Sequence, residues 1–206
     1  MEDQVCVINW DGTGKRILGT GFNGAGRTWR SPQGEDWVLA ATVDRPSKLY
    51  RISIDDTSRK VLIMTQDTTD RNWGPATDGS GAAFRWITMS PDGKYVAGAF
   101  PDWFRVGVYN TETRALRLFS PGGSWPTIAR DSTYHVCYTS RADVIRISDV
   151  DSRNVRPDIP MPPAIKPPGC YFEGLRWTPD SNFVTTFTFM QIKPAPLIVR
   201  LSDSAF

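Results

Sequence analysis

Apolar and polar residues alternate along most of this chain, in short runs that end at Gly, Pro, Asp, Asn or Ser. Tyr95-Val96-Ala97-Gly98, Arg105-Val106-Gly107-Val108-Tyr109 and Ala115-Leu116-Arg117-Leu118-Phe119 are consecutive examples. Period-two patterning over short runs bounded by turn residues predicts β-strands with one face turned inward. No stretch of about ten residues sustains apolar spacing at three and four, so almost no helix is expected. The 16 prolines and 17 glycines are spread along the chain rather than gathered in a linker, as many short strands require.

One turn returns four times: Ser31-Pro32-Gln33-Gly34, Ser90-Pro91-Asp92-Gly93, Arg130-Asp131-Ser132-Thr133 and Thr178-Pro179-Asp180-Ser181. A short run containing Trp29, Trp86, Trp125 or Trp177 precedes each copy, which marks these tryptophans as blade-core packing residues. A strand follows each copy, then a third strand, a polar turn and, in three copies, a fourth strand. Lys48–Ile54, Asp55-Asp56-Thr57-Ser58 and Lys60–Met64 show the last three parts. Asp, Asn and Ser suit such turns because their side chains bond nearby backbone. Four antiparallel strands per repeat are the signature of a β-propeller blade, which needs roughly 40–45 residues. The turns start 59, 40 and 48 residues apart. The excess falls in Gln66–Ala83 and in the proline-rich Pro160–Gly169, expected to be an extended crossing segment.

The expected fold class is therefore all-β: a single partial β-propeller over 1–206 with four-stranded antiparallel blades. Blade sections fall roughly at 5–18, 28–65, 84–119, 125–156 and 173–201, about three complete blades plus two partial ones. Two strands at the start and three at the end make the chain read as a section of a larger ring. Unpaired sheet edges of that kind favour self-association.

Composition narrows the function classes. The 206 residues carry a net charge of +2, too little to argue for nucleic acid. No apolar run approaches the roughly 20 residues of a membrane span. The acidic start, Met1-Glu2-Asp3-Gln4, is no signal peptide. The chain is thus expected to be cytoplasmic or a piece whose export signal lies upstream. Cys6, Cys137 and Cys170 have neither metal-ligand nor redox spacing, and Cys6 and Cys137, inside apolar runs, read as buried free thiols.

Candidate chemistry is sparse. Gly19-Thr20-Gly21-Phe22-Asn23-Gly24 matches the dinucleotide glycine pattern but opens no helix, so no phosphate cradle and no cofactor is expected. The single histidine, His135, reads as a strand residue and cannot supply a two-histidine metal site. Carboxylates are abundant, including Asp44, Asp102, Asp131, Asp143, Asp180 and Glu173, and most fall in predicted turns. A paired-carboxylate site across a cleft cannot be read from spacing. No catalytic or metal residue is assigned. Propeller connectivity puts the loops between second and third strands on the same face as those between blades. That face would carry Arg45, Trp73, Asp102, Trp103, Arg141 and Lys193 as ligand-binding candidates, with Asp44 and Lys166 nearby. Aromatic residues beside charges suit a sugar or a protein. The opposite face carries the short turns, expected to be too tight to shape a pocket.

Asn9–Leu18 resembles the strand-turn-strand of TolB-like propeller repeats, and Ser90–Ala97 resembles their first turn and second strand; Arg130-Asp131 departs from the usual Pro-Asp. The whole chain is similar to such TolB-like and WD-repeat-like propellers of large secreted bacterial proteins. The resemblance implies further blades or domains and a periplasmic or extracellular setting. With no nucleophile or metal cluster in sight, the expected function is a non-enzymatic scaffold binding a protein or glycan. The alternative is a propeller hydrolase or lyase, or the gating propeller of a serine peptidase with its catalytic domain outside this chain.

Overall fold

The computed structural model describes residues 4–23, 27–44, 46–66, 84–100, 105–121, 123–141, 143–165, 170–189 and 195–201. Strands β1 (Gln4–Val7) and β2 (Arg16–Thr20) form a two-stranded sheet. The next sheet joins β3 (Phe22–Asn23) and β4 (Thr28–Arg30), both paired with β5 (Asp36–Thr42), to β6 (Lys48–Ser53) and β7 (Lys60–Thr65). Then come β8 (Arg85–Met89), β9 (Tyr95–Ala99), β10 (Arg105–Asn110) and β11 (Leu116–Pro121), in that order across one sheet. β12 (Ser124–Ile128), β13 (Val136–Arg141), β14 (Val144–Ser148) and β15 (Ile159–Pro160) form another, and β16 (Tyr171–Trp177), β17 (Phe183–Phe189) and β18 (Ala195–Arg200) a last one of three strands. Neighbouring strands are antiparallel throughout. The only helical element among the described residues is one 3-10 turn, Pro163–Ile165. The chain is a β-propeller, with three full blades between two partial ones.

The repeated turn explains why each blade begins as it does. In the β8–β9 copy, the Ser90 hydroxyl donates to the Asp92 carboxylate at 2.6 Å and accepts from the Tyr95 amide at 2.9 Å. Asp92 also accepts from the Lys94 amide, and Gly93 takes the left-handed φ of 78° that lets its amide reach the Ser90 carbonyl. Thr178 and Asp180 repeat this arrangement before β17. In the third copy Ala129 holds the hydroxyl's place, and Thr133 bonds Asp131 instead. His135 closes this turn through its carbonyl and lies just ahead of β13, not inside the strand as the alternation suggested.

Central strands are buried on both faces because each blade is sandwiched between two others. β9 and β10 are almost wholly inaccessible, and Val96, Ala97, Val106 and Ile87 lie in the core. The core clusters run from blade to blade: Trp29, Met64 and Phe84 share one, Ala97, Ile128 and Tyr138 another, and Cys137, Phe172 and Trp177 a third. Hydrogen bonds tie the inner ends together. The Trp29 indole N–H donates to the Ser90 carbonyl at 2.8 Å, and the Trp177 indole N–H to the Thr127 carbonyl at 2.9 Å. The Ile128 amide donates to the Thr88 hydroxyl, and the Tyr134 phenol to Asp92. Trp177 is buried between blades as expected, and so is Trp29; Trp86, expected to be buried between blades like Trp177, is only half-buried, as is Trp125.

Several local expectations need correction. Cys6 is exposed, at a register shift beside Val5, so only Cys137 and Cys170 are buried thiols. The fourth strand of the third full blade is Ile159–Pro160, the start of the proline-rich segment, because Ser148–Asn154 forms only an isolated bridge. Of the glycine-rich run, the described residues Gly19–Asn23 lie in β2, a tight turn at Gly21 and β3, and the described chain resumes as strand at Thr28.

Replacing Trp177 by Phe removes the N–H and leaves the Thr127 carbonyl without its donor. The expected loss is roughly 2–4 kcal/mol in urea unfolding, against no measurable change for Trp10→Phe at a fully exposed turn residue.

Arg146 of β14 grips Asp158, just before β15, through two bonds of 2.8 and 2.6 Å, and that bond holds the Asp158 carboxyl below the usual carboxylate range. A depressed carboxyl adds stability above its unfolded value of about 4 and loses it as pH falls through the lower folded value. The melting-temperature difference between wild type and Asp158→Asn should therefore be present near neutral pH and shrink below about pH 4.

Candidate functional site

The first strands of the blades lie side by side around the axis, so their two ends define two mouths. At the turn mouth, two cavities of about 390 and 410 Å³ share Arg27, Thr28, Thr127, Ile128 and Arg130. Trp29, Arg30, Thr88, Met89, Pro91 and Pro179 complete the first, and Arg176 and Trp177 the second. The expectation that these turns are too tight to shape a pocket is corrected: each turn is tight, but three of them stand around the axis and enclose a cleft between blades. Arg27 spans it, its guanidinium donating to the Thr127 hydroxyl at 3.2 Å and to the Leu175 carbonyl at 3.3 Å. The lining holds arginines, hydroxyls and apolar walls. Among its described residues there is no carboxyl, imidazole, thiol or amine to exchange a proton near neutral pH, and those present suit holding a ligand.

The other end of the same strands has a different character. β8, β12 and β16 each carry a bulge, between Arg85 and Thr88, Ser124 and Thr127, and Glu173 and Arg176. Trp86, Trp125 and Gly174 sit at these bulges with φ of 52°, 55° and 63°. Glycine adopts that conformation freely, whereas a bulky residue does so at a cost. The two tryptophans stack on each other, ring centroids 4.5 Å apart and planes 29° apart. In the next blade the place is filled otherwise: a Cβ at Gly174 would meet the Phe187 ring at 2.5 Å.

Glu173 stands beside this bulge, half-buried, with Phe172 turned into the core. Burial pushes its carboxyl above the ordinary value, against the opposing effect of a hydrogen bond from the Tyr171 side chain. A carboxyl raised by burial on an innermost strand can give or take a proton nearer neutrality, the profile of an acid–base group. Sequence reading named Glu173 only as one of many carboxylates, at the start of the section 173–201, and gave it no role; the missing signal is its burial on a paired strand, which no local pattern shows.

Of the six candidate ligand-binding residues, Arg141 is the one within the described residues. It ends β13 on the hairpin to β14, exposed, and its charge acts on Asp158. Arg45, Trp73, Asp102, Trp103 and Lys193 lie outside the described residues, as does Lys166, and Asp44 is exposed with its carbonyl accepting from the Ser47 hydroxyl. No helix among the described residues is long and apolar enough to cross a membrane.

No family model matches the chain, and no curated protein matches it either. Solved structures do. An oligogalacturonate lyase in complex with manganese superimposes with a TM-score of 0.58 at 14% identity, over 96% of this chain and 56% of that one. A luciferin-regenerating enzyme gives 0.54 at 15%, over 100% and 67%. The periplasmic gluconolactonase of Pseudomonas aeruginosa gives 0.50 at 13%, over 86% and 54%. The chain therefore spans a little over half the length of the lyase and the lactonase. The lyase structure's manganese is not carried over, because among the described residues no three His, Cys, Asp or Glu side chains group closely enough to hold a metal ion.

The expectation of a non-enzymatic scaffold is corrected by these likenesses. It rested on propellers serving as binding platforms, yet the propellers that share this backbone are named as a lyase, a lactonase and a regenerating enzyme. A carbon-detected NMR titration of the Glu173 carboxyl should give a midpoint above about 4.3, the ordinary glutamate value. A midpoint at or below it would remove Glu173 as an acid–base candidate. At this level of identity what the likeness establishes is the fold: the chain is similar in backbone to propeller enzymes and is itself an all-β propeller.

Proposed function

We propose that this chain is part of a propeller enzyme of hydrolase or lyase type, working at the loop end of the innermost strands. The observation that carries the reading is Glu173: a half-buried carboxyl, raised by burial and bonded by Tyr171, on a first strand of a fold shared with enzymes. A group so placed can take a proton from water to open a lactone, or from carbon beside a carboxylate to eliminate a sugar. The names of the oligogalacturonate lyase and the gluconolactonase support a sugar acid or its lactone as substrate class. Arg45, Trp73, Asp102, Trp103, Arg141 and Lys193 are proposed as the substrate-facing surface, where aromatic rings suit sugar faces and the cations suit carboxylates. The TolB-like repeat pattern of Asn9–Leu18 supports a periplasmic or extracellular setting and further blades in the full protein.

The test is a turnover screen of the purified protein against sugar lactones, read as acid release, and against oligouronates, read as ultraviolet absorbance of an unsaturated product. The expected result is turnover of at least one class, lowered about 100-fold or more by Glu173→Gln with the melting temperature retained. Turnover of neither class, or an unaffected variant, overturns the reading.

A further inference from the structure

The four copies of the inner strand can be aligned in sequence at the residue that opens each turn. Ser31, Ser90, Ala129 and Thr178 are equivalent, because the amide of each closes its turn onto the carbonyl of Glu35, Tyr95, His135 or Phe183. In that register every copy but one has proline at the following position, and the exception is Arg130 against Pro32, Pro91 and Pro179. Two residues before the turn stand Trp29, Thr88, Thr127 and, as the only charge, Arg176. One residue before stand Met89, Ile128, Trp177 and, as the only charge, Arg30. Four residues before stand Trp86, Trp125, Gly174 and, again as the only charge, Arg27. At these four positions the one charged residue is an arginine each time, and all four arginines line the cleft at the turn mouth.

We infer that this cleft is a binding site for a small polyanion bearing carboxylate or phosphate groups. Its described lining contains no acidic residue. Among the described residues no carboxylate forms an ion pair with Arg27, Arg130 or Arg176, and Arg30 meets Asp36 only at 3.7 Å. The carboxylates of the surrounding turns are already engaged: Asp92 by Ser90, Lys94 and Tyr134, Asp131 by Thr133, and Asp180 by Thr178 and Asn182. Four like charges around one cleft repel each other, and of the four only the Arg27 side chain bonds to other blades, while the other copies make the same strand with apolar or neutral residues at these positions. Arg27 is held in place by its bonds to Thr127 and Leu175, so little entropy is lost when it meets an anion. Planar guanidinium groups pair bidentately with carboxylate and phosphate, and the Thr28 and Thr127 hydroxyls can add to that. A cavity of about 390 Å³ walled by Trp29, Pro91, Ile128 and Pro179 is the size for a compact molecule, not a polymer.

The site is independent of the enzymatic reading and at the opposite mouth from Glu173. Isothermal titration calorimetry of the purified protein with citrate and with inorganic pyrophosphate tests it, with sucrose as the neutral control. One of the two anions should bind saturably and lose affinity with added salt, and which one does so tells carboxylate from phosphate. Arg130→Gln and Arg176→Gln, both at exposed positions, should each weaken it about ten-fold or more. Arg117→Gln, whose partner is Asp151 at another blade edge, should leave it unchanged, and so should Glu173→Gln. Absence of saturable binding by both anions, or affinity retained in both cleft variants, overturns the inference, whatever the turnover screen shows.

Discussion

Blades around an axis can only form a ring if their innermost strands are held side by side, and here that is done by polar groups buried in an otherwise apolar seam. An indole N–H reaches a carbonyl of the neighbouring blade at Trp29 and again at Trp177. Each bond joins a side chain of one blade to the backbone of the next, and so fixes the height of one sheet against the other. Apolar packing alone would let the sheets slide, because a methyl group gains nearly as much one notch along. The directional bond to a buried carbonyl removes that freedom, since a slip would leave the buried indole N–H without its acceptor. The depth of the cleft and the position of the bulges follow from this registration.

The two mouths then differ for a reason rooted in the repeat. At the loop end each first strand is bulged, which turns Trp86 and Trp125 toward each other and costs both an unfavourable backbone conformation. At the turn end the described first strands carry no bulge, though Tyr134 and Ser181 in the turns also take a left-handed φ, of 55° and 57°. The bulged end bears Glu173, and the described lining at the other end is rich in arginine. The division separates a place suited to chemistry from one suited to holding an ion.

Much of the fold was legible in the chain because its signals are local. Alternation gives strands, and Ser-Pro-Asp-Gly gives a turn through hydroxyl and carboxylate bonds that lie within five residues of one another. What was not legible is what depends on partners far along the chain. Phe22–Asn23 belongs to a blade through pairing with Ala41 and Thr42, which its neighbours in sequence do not reveal. Ile159–Pro160 pairs with Val144 and Ile145, while the nearer Asn154-Val155-Arg156 looked the better strand. The cleft was missed for the same reason. Three tight turns each lack room, and only their arrangement about an axis makes some. Arg130 was visible as an irregularity in the repeat, but its meaning required the company of Arg27 and Arg30 from one blade and Arg176 from another, which lie far from it in sequence.

Arg27 has a consequence for how the molecule is made. Its two partners, Thr127 and Leu175, lie 100 and 148 residues further along the chain. A ribosome delivers the first full blade well before the last partial one, and contacts of such separation form late because the intervening chain must be closed first. Until β16 is in place, the guanidinium at the start of the first full blade has no carbonyl to meet. The cleft is thus assembled from residues far apart in the chain, and the N-terminal blades wait, half-lined, for Leu175.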